Sequence, residues 1–263
     1  MSTPTVAATR PTLRISPTTI ASLSVAALAW AVVVAIARHM GNGAGTMNLA
    51  LPAFTGMWAL MMAAMMLPAV APVASLYVRT IPTRQGSRWL LFVAGYLLVW
   101  SATAVPAYVA LRVVDHASTV TTLRYVAVVV LTVAGIYQLS PLKTACLRHC
   151  RSPLAQLLGY GNVTGPAKDL RVSVHHAGYC MGCCWTLMAI MLALGVMNLW
   201  VMFAVAAVLL AEKLVGPGVA IGRIAGIVFI AVAAAVAVSP SAASALLPSV
   251  VGHMAPGMHG MHM

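Results

Sequence analysis

Long apolar runs separated by short polar ones organise this chain. Ile20–Ala37, Phe54–Val78, Trp89–Leu111, Tyr125–Leu139 and Val219–Val238 are continuous runs of this kind. Helices of roughly 20 residues, rising about 1.5 Å per residue, cross a hydrocarbon layer. The stretch from Cys180 to Ala211 is longer, and Gly195-Val196-Met197-Asn198 interrupts it. Breaking it at Asn198 gives two short spans and seven in all. A single long tilted helix there would leave six. Hydrocarbon offers backbone N–H and C=O groups no partner, so such runs close their hydrogen bonds within a helix. The predicted fold class is all-α, a polytopic membrane protein of about seven transmembrane helices.

The polar segments divide the rest. Residues 1–19, Ser/Thr/Pro-rich with Arg10 and Arg14, read as a disordered basic tail. Residues 20–238 form the transmembrane domain, and its longest polar segment, 140–178, reads as a loop. Residues 239–263 lack Lys and Arg and end in a Met/His-rich tail. Ala35-Ile36-Ala37 resembles a signal-peptidase site, but the run before it is long for a signal peptide and reads as a retained span.

Composition agrees. Hydrophobic residues make up 62% of the chain and charged residues 7%, against about 25% in soluble domains. The net charge of +12 calls for no nucleic acid. Lys and Arg fall between apolar runs, where positive-inside retention and anionic lipid headgroups use them. With seven spans, Arg10, Arg14, Arg79, Arg84, Arg88, Lys143, Arg148, Arg151, Lys168, Arg171 and Lys213 share one side. Arg38, Arg112 and Arg124 take the other. That bias predicts an amino terminus and a 140–178 loop on the cytoplasmic side of the membrane, with the tail outside. Asp115, Asp169 and Glu212 are the only acidic residues, which excludes Asp/Glu-rich sites for hard cations and a carboxylate-pair hydrolase. Arg223 is the expected partner of Glu212, because Lys213 does not share its helix face.

The candidate chemistry is soft. All five cysteines fall between 146 and 184: Cys146, Cys150, Cys180, Cys183 and Cys184, with His175 and His176 just upstream of the last three. On a helix, Cys180, Cys184, Met188 and Met191 share one stripe. Met57, Met61 and Met65 form an i, i+4 ladder, and Met62 and Met66 a neighbouring one. The tail adds His253, Met258, His259 and His262. Thiolate and thioether donors select Cu(I), with zinc as the alternative. Read with the charge bias, thioethers lie towards the outside and thiols at the cytoplasmic end, where cysteines stay reduced. The competing reading of each methionine is pliable packing material.

Several stretches resemble a bacterial family described only as predicted metal-binding integral membrane proteins of unknown function. They are Met57-Trp58 with Met61 to Pro68, Tyr137 to Lys143, Cys146, Cys150-Arg151-Ser152-Pro153, Gly178, Cys180-Met181-Gly182-Cys183-Cys184-Trp185, Met197-Asn198-Leu199-Trp200 and Glu212-Lys213. The resemblance covers about 54–217, leaves the tail outside, and implies metal binding in the membrane without supplying a reaction. The expected function is therefore a membrane protein that holds or relays a soft metal, copper as Cu(I) first. The alternatives are an accessory subunit of a larger membrane metalloenzyme complex and a thiol redox protein built on Cys180 and Cys183. No nucleophile–base pair, phosphate loop or cofactor motif marks an enzyme.

Overall fold

The computed structural model describes residues 16–40, 49–80, 84–117, 120–152, 159–160, 165, 167–196 and 198–239. The Met/His tail, with His253, Met258, His259 and His262, lies outside the described residues, as does most of the basic tail. The helices are α1 (Pro17–Met40), α2 (Leu51–Arg79), α3 (Gln85–Ala102), α4 (Ala104–Ala117), α5 (Val120–Leu139), α6 (Pro141–Arg151), α7 (Lys168–Leu194), α8 (Leu199–Leu214) and α9 (Gly218–Val238). Among the described residues there is no strand. Among the described residues six helices are long and apolar enough to cross a membrane, with α3 and α4 counted together as one. The 16-residue α8 is shorter than these.

The break in the Cys180–Ala211 stretch falls where the pattern put it. Gly195 ends α7 at φ 107, a left-handed conformation that costs glycine little. Asn198 then caps α8, its side-chain oxygen accepting from Trp200 N at 3.1 Å and Val201 N at 3.3 Å. The segment read as a loop, 140–178, is largely helical where it is described. Ser140 caps α6 by accepting from Lys143 N, and Pro141 opens that helix without a missed hydrogen bond. α7 starts at Lys168, twelve residues before Cys180, with Asp169 in its first turn, where the helix dipole favours a carboxylate. His175 and His176 are therefore helical residues.

α2 is the centre of the bundle, packed by α1 and α3. Met61, Met62, Met65 and Met66 are fully buried, with Ala63 and Ala64 letting neighbouring helices approach between them. Two ties fix α2 against α3. At one end the Tyr77 hydroxyl donates to Asp169 Oδ1 at 2.7 Å, and Arg88 Nη1 reaches the same oxygen at 3.2 Å. At the other, Trp58 Nε1 donates to Thr103 Oγ1 at 2.9 Å and to the Trp100 carbonyl at 3.2 Å. Thr103 is the break between α3 and α4, and Pro106 beyond it has no N–H to give the Ala102 carbonyl. Trp58 thus braces a point where the backbone ladder is interrupted.

Large apolar side chains cover the outer faces, among them Leu28, Val113, Ile136, Ile224 and Ile227.

Candidate metal centre

The thiol site is built on the turn of α7 that runs from Cys180 to Cys184. Residues four apart share a helix face, and the Cys180 and Cys184 sulfurs are 3.8 Å apart. Cys183 stands on the adjoining stripe with its sulfur 3.5 Å from that of Cys184. All three Sγ atoms lie within 4.8 Å of one another and all three residues are buried. A metal about 2.3 Å from each of three sulfurs would set them roughly 3.8–4.0 Å apart. The cluster is already near that size. Cys150, buried on α6, brings a fourth sulfur 3.9 Å from Cys183. Cys146, half-buried, is the fifth: a Cβ at Gly182 would stand only 2.9 Å from its sulfur, so glycine there lets α6 lie against α7. From α5, the Tyr137 hydroxyl donates to the Gly182 carbonyl.

Two side chains that spacing could not reveal face Cys180. Lys213 Nζ, at the end of α8, donates to its sulfur at 2.8 Å. The Tyr96 hydroxyl, from α3, is 2.9 Å from the same sulfur. An ammonium in hydrogen-bond contact stabilises a thiolate, the form that binds metal. Glu212, one residue earlier on α8, has different partners. Its carboxylate takes Lys143 Nζ at 2.7 Å on each oxygen and Gln138 Nε2 at 2.9 Å. The expected Arg223 pairing does not occur: Arg223 is exposed on α9, whereas Lys143 rises from the first turn of α6 beside Glu212. Arg151 closes the end of α8, donating to the carbonyls of Glu212 at 2.8 Å and Gly216 at 2.7 Å.

The adjacent histidines diverge by one helix step. His176 is buried, its ring 6.2 Å from that of Phe92 and 6.0 Å from that of Tyr96. His175 is exposed and faces α6, where His149 stacks on Tyr179 at 3.7 Å. Burial and the neighbouring His175 lower the pKa of His149. Burial, then Cys183, raises the thiol of Cys146.

The methionines are placed by the two ties of α2. Met61, Met62, Met65 and Met66 lie on α2 between Trp58 and Tyr77. Tyr96, which holds Cys180, lies on α3 between Trp100 and Arg88, the other halves of those ties. Buried thioethers and thiols thus belong to one continuous core. Met57, half-buried, stands just beyond the Trp58 tie. Met188 and Met191 continue the Cys180–Cys184 stripe and are buried.

The described residues thus form a helical bundle with helices fit to cross a membrane and a buried cluster of three thiols that could hold a metal ion. Residues 55–236 match the family model described as PpoB2: Copper chaperone, and the chain belongs to that family. No curated protein and no solved structure matches the chain. Family and thiol cluster together support copper binding, and a chaperone family points to metal handling rather than catalysis.

Proposed function

We propose that this protein binds Cu(I) inside a membrane at Cys180, Cys183 and Cys184 and hands it on through the soft donors around them. The single observation that carries this reading is the buried triad of sulfurs with Lys213 against Cys180. Three thiolates and one Cu(I) leave two negative charges, and the Lys213 ammonium offsets one of them. A buried site with that charge left unbalanced would hold its thiols protonated instead.

Cys150 supports movement rather than storage alone. Its sulfur is near enough to Cys183 for copper to gain a new sulfur before it releases an old one. Met61, Met62, Met65 and Met66, with Met57 beyond them, are the proposed thioether path on α2, and Met188 and Met191 extend the thiol stripe on α7. Cys146 closes the thiol set on the α6 side, and His176 packs behind Cys180 on Tyr96. With α8 as a seventh crossing, shorter than the other six, the tail is placed outside, and His253, Met258, His259 and His262 are proposed outer ligands. The membrane is the bacterial cytoplasmic membrane, with the amino terminus inside. The loop-charge bias and the apolar outer faces, suited to lipid, support that placement.

The test is Cu(I) competition against a chromophoric chelator in detergent under reducing conditions. Wild type should retain copper, and Cys183→Ser should lose it to the chelator. Equal retention by the two would remove the triad from the account.

A further inference from the structure

Beside the thiol cluster stands a second group of metal-ligating side chains. His149 lies on α6 between Cys146 and Cys150, with its ring stacked on Tyr179. His175, four residues before Tyr179 on α7, sets its ring 6.0 Å from that of His149 at 70°, and 5.1 Å from that of Tyr179 at 65°. The Tyr160 hydroxyl is 3.1 Å from His175 Nδ1, and the two rings are perpendicular. If His175 Nδ1–H donates to that hydroxyl, Nε2 keeps its lone pair, the arrangement in which an outer partner orients a metal-binding imidazole. A metal about 2.0 Å from an imidazole nitrogen lies roughly 3 Å from the ring centre, so two imidazoles sharing one metal stand about 5–6 Å apart, centre to centre. The observed separation falls at the wide end of that range, which suits a nearly linear N–metal–N site. Cu(I), with a filled d shell, accepts two nitrogen ligands in that geometry, and imidazole suits copper.

Position gives this pair a role. His175 is exposed and His149 is half-buried, whereas Cys180, Cys183 and Cys184 are buried. Cys150 follows His149 in sequence and reaches Cys183. We propose that His149 and His175 form a second copper site, a port where Cu(I) from a soluble thiolate donor is taken up before it passes through Cys150 to the thiol cluster. This rests on the copper-binding reading above and adds where the ion enters. Each step is a ligand exchange. On uptake two Cu–N bonds form as the donor's Cu–S bonds break and its thiolate leaves; a Cu–S bond to Cys150 then forms as one Cu–N bond breaks, and a Cu–S bond to Cys183 forms as the second Cu–N bond breaks. The proton of each thiol goes to water, copper stays in the +1 state throughout, and no oxidant or reductant takes part.

The test uses full-length protein in detergent and the Cu(I)–glutathione complex, following the ultraviolet thiolate-to-copper absorbance after rapid mixing. The double variant His149→Gln/His175→Gln should load about tenfold more slowly or worse, yet end with the same thiol-bound copper as wild type. The triple variant Cys180→Ser/Cys183→Ser/Cys184→Ser should keep one copper with a nitrogen first shell by X-ray absorption. Loading at the wild-type rate by the histidine variant, or no copper on the serine variant, overturns the port. Should the histidine variant fail to fold, wild type decides: above one copper equivalent a nitrogen shell must appear, and its absence overturns the proposal. Wild type that never develops the thiolate absorbance contradicts the thiol site instead. The nitrogen shell of the serine variant still decides the port.

Discussion

Lys213 donates to the sulfur of Cys180 at 2.8 Å, while its neighbour Glu212 is held by Lys143. Adjacent residues on a helix point about 100° apart, and here that step separates two electrostatic units. One is a cation serving a soft-metal site. The other is a buried ion pair joining α8 to the junction of α5 and α6.

The first unit predicts a loss of affinity without loss of fold. Lys213→Met keeps the stem that packs against the site and removes the ammonium. Copper affinity should fall about 10–100-fold, the usual cost of losing an outer partner of a metal ligand. Lys213→Arg, still cationic, should lose less. Chelator competition on the three proteins reads both, and equal affinities would show that Lys213 does not serve the thiolates.

The second unit predicts a loss of fold. Lys143 and Glu212 are each about 2% exposed at the side chain. Glu212→Gln leaves the Lys143 ammonium buried without its counter-charge and should cost about 3–5 kcal/mol. Removing both charges with Lys143→Met and Glu212→Gln should return most of that. Thermal unfolding in detergent gives the comparison, and a single variant as stable as wild type would refute the pairing.

Much of this framework is legible in the chain. The helices, and the break at Gly195–Asn198, follow from apolar run length, a glycine and a capping asparagine. The Cys180–Cys184 stripe follows from a spacing of four. The start of α7 is not legible in this way, because Lys168 to Tyr179 is polar and its helical face is set by packing on α3 and α6. The partner of Glu212 lies 69 residues away in sequence. Arg223, nearby and on an apolar run, was the reasonable choice, but no pattern in sequence turns it inward. Tyr96 carries no signal at all among the aromatic residues of α3. Trp58 and Tyr77 carry no such signal either, because their polar atoms bond across the bundle to residues far away in sequence.

Close approach of α6 and α7 gives a third prediction. Gly182→Ala puts a methyl group 2.9 Å from the Cys146 sulfur, so the Cys146 side chain or one of the two helices must shift. Overpacking of this kind costs about 1–3 kcal/mol. In a Cys146→Ala background the same substitution should cost much less. Unfolding midpoints of the four proteins complete the cycle, and additive effects would mean that the two side chains do not meet.

The thioethers of α2 are tested by a volume-conserving change. Met→Leu at Met61, Met62, Met65 and Met66 should cost less than about 1.5 kcal/mol per site, so the variant should accumulate. It should keep the thiol-bound copper and deliver it more slowly to a membrane-impermeant chelator when reconstituted in vesicles. Delivery at the wild-type rate would leave these methionines as packing alone.

The most direct measurement is X-ray absorption at the copper edge of the reduced, purified wild-type protein carrying one copper equivalent. The account predicts Cu(I) in a first shell of sulfur alone, at about 2.3 Å, lost when Cys180, Cys183 and Cys184 are all replaced by serine. A first shell of nitrogen and oxygen at one equivalent, or a sulfur shell that survives the triple replacement, would contradict it.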